Sequence, residues 1–134
     1  MPVLKRFTPY WFSVTKTFTD FSTAAATNSI ALFTLPAGGV IHRIKVKHST
    51  AFSGGTISAY NVSVGITGNT TKYTPIFDVF QATGNTAEQL TRVDLQENHG
   101  ATTSVLATAN STGANLNAAT AGSVTFWIQV TEAI

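Results

Sequence analysis

With 134 residues and no cysteine, the chain is long enough to bury one hydrophobic core unaided, while disulfides, thiolate metal sites and a cysteine nucleophile are excluded. Only 10% of its residues are charged, against roughly 25% in ordinary soluble domains, and a net charge of +2 is too weak a field for nucleic-acid binding over the whole surface. No apolar run is long enough for a membrane helix and the start lacks the apolar stretch of a secretion signal, so the expected product is soluble, made in the cytoplasm and without a membrane partner.

Residues 1 to 12 differ in character from the rest of the chain. Lys5 and Arg6 stand next to Phe7, Tyr10, Trp11 and Phe12, with Pro2 and Pro9 resisting regular structure. The segment reads either as an arm that lies across a neighbouring surface or as a lead-in tucked under its own domain. We take it as an N-terminal arm, with a single domain over 13–134.

From Ser13 onward, short alternating runs rich in Thr and β-branched residues predict eight strands, at about 13–19, 29–35, 40–49, 57–67, 75–80, 90–95, 103–109 and 123–131. In the fourth, Tyr60, Val62, Val64 and Ile66 fall on one face, and in the last, Val124, Phe126, Ile128 and Val130 oppose Thr125, Trp127, Gln129 and Thr131. The third run places Val40, Ile44 and Val46 with His42 and His48, and puts Arg43, Lys45 and Lys47 after Ile41 on the opposite face. Gly and Asn clusters at 38–39, 54–55, 68–69, 84–85, 98–100 and 113–122 supply the turns. Unequal connections between short strands predict an all-β, jelly-roll-like antiparallel sandwich; an immunoglobulin-like sandwich is the competing arrangement.

Little in the chain looks catalytic. Ser13-Val14-Thr15-Lys16 matches S-x-x-K in form, but that chemistry needs a helix start, and here the two side chains leave opposite faces of a strand. His42 and His48 are about 20 Å apart along one strand, beyond a common metal shell. Six carboxylates, Asp20, Asp78, Glu88, Asp94, Glu97 and Glu132, lack calcium-loop spacing. The expectation is a protein that is not an enzyme and holds no metal or cofactor. Arg43, Lys45 and Lys47 are the strongest surface signal, a positive ridge about 13 Å long. It reads either as the contact for an acidic partner surface or as a solvated strand whose lysines block aggregation.

The stretch from Lys45 to Thr83, together with E-N-H-G-A-T-T-S from Glu97 and T-G-A-N-L-N-A-A-T-A-G-S-V from Thr112, resembles small virion proteins of tailed bacteriophages. The resemblance implies a virion protein that serves as head decoration (cement) or as a fibre or spike component, and the reading taken is decoration, made in the host cytoplasm, carried on the virion and bound to the assembled shell. Its implied partner is the major capsid protein or another virion protein, and its expected state is a homotrimer. Lys5, Arg6, Phe7, Tyr10, Trp11, Phe12, Arg43, Lys45 and Lys47 are then the expected contact residues. The alternative is a fibre- or spike-associated module that binds a glycan or receptor through aromatics such as Trp127, Tyr73 or Tyr60. A lone domain with no shaft sequence argues for decoration over a fibre.

Overall fold

The computed structural model describes residues 8–83, 88–89 and 100–131. Its strands are β1 (Tyr10–Thr17), β2 (Thr27–Leu35), β3 (Val40–Ser53), β4 (Ala59–Gly65), β5 (Phe77–Asp78), β6 (Glu88–Gln89), β7 (Thr103–Thr112) and β8 (Ala121–Thr131). Two antiparallel four-stranded sheets result, ordered β1-β8-β3-β6 and β2-β7-β4-β5. Every connection crosses from one sheet to the other except β4 to β5, which is the winding of a jelly roll. The immunoglobulin-like alternative is thereby set aside, since its neighbours are paired differently. The strand expected at 90–95 lies outside the described residues.

Alternation places most of the core. Val124, Phe126, Ile128 and Val130 of β8 point inward at 2% exposure or less and face Val62, Val64, Val105, Ala107 and Ala109 from the other sheet. Phe52 joins the cluster from β3, its ring centroid 4.6 Å from that of Tyr60 and 6.3 Å from that of Phe21. The Phe52 ring also explains Gly122: a Cβ there would lie 2.4 Å from it, at a backbone φ of +146° that other residues rarely adopt. Between β1 and β2 the chain makes one helical turn, α1 (Phe18–Phe21), closed where the Asp20 carboxylate accepts the Thr17 backbone N–H at 2.8 Å. That turn buries Phe21 completely.

The register shifts once in β2 and three times in β3, and two of these shifts change which face a large apolar residue takes. In β3 the register shifts between Ile41 and Arg43, which turns Ile41 into the core beside Ile44 and Val46. The sequence pattern grouped Ile41 with the cations and His42 with the core; in the structure Ile41 is buried, and His42 is half-exposed and hydrogen-bonds the Thr131 hydroxyl. In β2 the shift falls between Ala31 and Phe33 and turns Phe33 inward against Phe12, with ring centroids 4.9 Å apart in an edge-to-face arrangement. β1 also begins three residues before the expected start: Tyr10, Trp11 and Phe12 are strand residues paired with Val130, Gln129 and Ile128. The arm/domain boundary read at 12/13 therefore falls inside a strand, and residues 1–7 of the expected arm lie outside the described residues.

Two buried polar atoms among the described residues lack a hydrogen-bond partner, the Tyr60 hydroxyl and Asn61 Oδ1. Burial holds the Tyr60 phenol well above the usual tyrosine range.

Candidate functional site

The outer face of the β1-β8-β3 sheet is a grid of three rows, fixed by cross-strand register. Trp11 lies beside Gln129 and Gln129 beside Arg43; Ser13, Trp127 and Lys45 form the next row; Thr15, Thr125 and Lys47 form the third. Strand alternation sends these side chains to solvent because Phe12, Val14, Phe126, Ile128, Ile44 and Val46 occupy the other parity. Trp11 is 42% exposed, and Arg43, at the other end of the same row across Gln129, is exposed one row from Lys45. The Lys45 ammonium reaches diagonally over the Trp11 ring, 5.2 Å from its centroid. The Thr15 and Thr125 hydroxyls are 2.9 Å apart.

This arrangement contains three cations, two indole rings and four neutral polar side chains, with no carboxylate and no histidine in the grid. The Arg43 guanidinium offers a planar fork of donors suited to carboxylates, and the Trp11 ring already holds one ammonium by its π face. The face is a cation-and-aromatic surface whose chemistry is complementary to negative charge. It has no nucleophile paired with a base. Ser13 and Lys16, the S-x-x-K pair, leave opposite faces of β1 as its alternation requires.

The expected contact residues separate into two places. Trp11, Arg43, Lys45 and Lys47 meet on the grid; Tyr10 and Phe12, with inward parity, line a cleft instead. That cleft, about 230 Å³, opens between β1 and β2 and is completed by Phe33, Thr34, Leu35, Pro36 and Val130. Lys5, Arg6 and Phe7 lie outside the described residues. Sequence reasoning missed the cleft because its walls come from three strands far apart in the chain, and because the β2 bulge that turns Phe33 inward leaves no mark on the alternation.

Other expected positions are structural. His48 is buried, with its Nε2–H donating to the Gln81 carbonyl at 2.9 Å and its ring edge-on to Phe77. Tyr60 and Tyr73, two of the aromatics considered for glycan stacking, are fully buried, which leaves Trp127, half-buried beside Lys45, from that set. Among the described residues no group of three or more His, Asp or Glu side chains converges as a metal shell, and no helix is long and apolar enough to cross a membrane. His99 lies outside the described residues.

No family model matches the chain, and no curated protein does. Two solved structures share its fold. A chain of the cyanophage Pam1 capsid asymmetric unit aligns with a TM-score of 0.61 at 17% identity, over 99% of this chain and 91% of that one. A chain of the acid-stable capsid of Helicobacter pylori bacteriophage KHP30 aligns with a TM-score of 0.56 at 16% identity, over 92% of this chain and 86% of that one. At such identities the likeness establishes the jelly-roll fold. The two-way coverage adds that both matched chains are close to this one in length.

Proposed function

We propose that the chain is a non-catalytic structural protein of a bacteriophage virion, a decoration or cement protein that binds the assembled capsid shell as a homotrimer. The observation that carries this reading is the near end-to-end fold match to two chains taken from phage capsids, both similarly short. A small chain that matches over its whole length, and not as one layer of a longer subunit, suits an accessory role on a shell. Low charge over most of the surface suits a protein packed against neighbours. The cationic grid supplies the shell contact, with Arg43, Lys45 and Lys47 meeting acidic groups and Trp11 and Trp127 providing apolar area.

The mechanism is linkage. A protein that binds the assembled shell and not its free subunits shifts assembly toward the shell, by about 2.7 kcal/mol per site at a hundred times its dissociation constant. The test is to add purified protein to shells that lack it and to measure bound copies and the melting temperature of the particle. Saturation in proportion to shell subunits, with a raised melting temperature, is expected. Binding confined to a few copies per particle, or none, would refute the reading and favour a tail or fibre location.

A further inference from the structure

The strand β5 and the turn that follows it carry a second candidate site, on the outer face of the β2-β7-β4-β5 sheet and so on the sheet opposite the cationic grid. Cross-strand register sets Asp78 beside Asn61, and alternation brings Ile76, Asp78 and Phe80 out on that face next to Ala59 and Asn61. A pocket of about 250 Å³ opens among these residues, with Ser58 also on its wall. The carboxylate is fixed in place: Asp78 Oδ1 accepts the backbone N–H of Phe80 at 2.9 Å and that of Gln81 at 3.3 Å, and the Gln81 side-chain amide donates to the Asp78 carbonyl at 2.9 Å. Both bonds to the carboxylate fall on one oxygen, and Oδ2 takes none among the described residues. Apolar groups flank it along the strand, Ile76 at 58% exposure on one side and the half-buried Phe80 ring on the other.

The walls select the chemistry of the ligand. Among the described residues no lysine, arginine or histidine lines the pocket, a carboxylate does, and Asn61 Oδ1 beside it is an acceptor without a donor. The favoured ligand therefore brings donors and positive charge and no acceptor. A guanidinium fits these terms better than an ammonium. It is planar, weakly hydrated, presents a fork of N–H groups to a carboxylate and stacks on a ring, whereas an ammonium is a compact, strongly hydrated point charge. The volume lies below the roughly 300–1,000 Å³ of small-molecule sites and suits one side chain. Free arginine would also bring an α-carboxylate, for which no described residue of the pocket supplies a cation. We infer that this pocket receives an arginine side chain of a partner protein, with its guanidinium on Asp78 and the Phe80 ring and its methylene stem along Ile76.

The inference depends on neither the shell contact, which lies on the other sheet, nor the oligomeric state, so it is tested on the intact chain in free solution. The probe is arginine blocked at both ends, Nα-acetyl-arginine methylamide, titrated at low salt and followed by NMR. Saturable shifts are expected at the Asn61 side-chain amide and at the backbone amides of Phe80 and Gln81. The dissociation constant is expected to lie about threefold or more below that of the matching blocked lysine, as a guanidinium resting on a ring requires, and free arginine is expected to bind more weakly than the blocked form. Asp78→Asn keeps an acceptor for the Phe80 and Gln81 N–H groups, so the fold is expected to stand by circular dichroism while the dissociation constant rises about fivefold, the scale of an exposed ion pair. Ala59→Leu fills the pocket and leaves the carboxylate in place, and is expected to weaken binding as much, which keeps the test independent of either variant alone. Phe80→Leu is expected to erase the preference for arginine over lysine. Shifts as large around Asp20 as around Asp78, no saturation, blocked lysine or free arginine bound as tightly as blocked arginine, or binding that survives both Asp78→Asn and Ala59→Leu would each overturn the inference.

Discussion

The jelly roll presents two outer sheet faces with the same geometry and opposite chemistry. On the β1-β8-β3 sheet the grid runs Trp11, Gln129, Arg43; Ser13, Trp127, Lys45; Thr15, Thr125, Lys47. On the β2-β7-β4 sheet the corresponding grid runs Thr27, Asn110, Asn61; Ser29, Thr108, Ser63; Ala31, Leu106, Gly65. The second is a flat surface of small neutral side chains stitched by its own hydroxyls and amides: Thr27 Oγ1 donates to Asn110 Oδ1 at 2.6 Å, and the Ser29 and Thr108 hydroxyls are 2.7 Å apart. Its polar groups face one another, and Ser63 and Thr108 are buried. The first keeps its charges and indoles turned outward. One face is knit by hydrogen bonds between its own strands, with Asn61 Oδ1 the exception, while the other carries cations and indoles.

The largest test of this contrast uses neighbours on β8. Phe126 and Trp127 differ by one position and therefore by face, core against grid. Phe126→Ala is expected to cost about 3–5 kcal/mol in urea unfolding, as for other buried aromatics. Trp127→Ala is expected to cost only about 1 kcal/mol while weakening attachment to shells. Equal losses of stability would mean that the outer ring is part of the core's energetics, and the grid would lose its claim to be a binding face.

Charge reversal separates the two faces by function. Arg43→Glu with Lys45→Glu is expected to lower shell affinity about tenfold or more at low salt, equivalent to about 1.4 kcal/mol, with the difference shrinking as salt rises because rim charges act through a screened field. Ser104→Glu with Thr112→Glu, at exposed outward positions on β7, is the matched change on the small-residue face and is expected to leave affinity unaltered. If both pairs weaken binding alike, or if the first pair has no effect at either salt, the cationic grid is not the contact.

Much of this contrast is legible in the sequence, because period-two alternation assigns Thr125, Trp127 and Gln129 to one face of β8 and the core residues to the other without reference to any neighbour. Arg43, Lys45 and Lys47 are found by the same rule. What alternation cannot supply is which strands lie side by side, so Trp11 next to the ridge emerges only from the β1-β8-β3 order. Nor can it show a bulge. The extra residue in β3 sends Ile41 to the core and the one in β2 sends Phe33 into the cleft, each reversing the face that unbroken alternation would give. The start of β1 was hidden for a different reason: Pro9 and the aromatic cluster at 10–12 suggest an arm by composition, yet the pairing of Tyr10 to Phe12 with β8 outweighs that local signal.

Matched hydroxyl pairs give a smaller test. Ser29 with Thr108 and Thr15 with Thr125 are cross-strand pairs of similar length on opposite faces, but Thr108 is buried while Thr15 is exposed and Thr125 only half-covered. Ser29→Ala deprives the buried Thr108 hydroxyl of its partner and is expected to cost about 1–2 kcal/mol. Thr15→Ala leaves Thr125 within reach of water and is expected to stay within about 0.5 kcal/mol. A cost at Thr15 as large as that at Ser29 would show that the grid face is stitched as tightly as its counterpart.

The smallest expected effect concerns the contact between Lys45 and Trp11, where the cationic grid engages itself. At 5.2 Å over a ring that is 42% exposed, the ammonium is held by an attraction of about 0.5–1 kcal/mol. A double-mutant cycle with Trp11→Ala and Lys45→Ala, followed by urea unfolding, is expected to return a coupling of that size, and Trp11→Phe is expected to keep part of it because a phenyl face retains a weaker quadrupole. The contact has a consequence for steering. A cation resting on an indole is less available to an incoming carboxylate than one in open solvent, so Arg43→Glu alone is expected to lower the shell association rate more than Lys45→Glu alone, and removal of the Trp11 ring is expected to narrow that difference. A coupling indistinguishable from zero, together with equal effects of the two single reversals, would mean that Lys45 and Arg43 are equivalent charges and that Trp11 contributes only apolar area to the face.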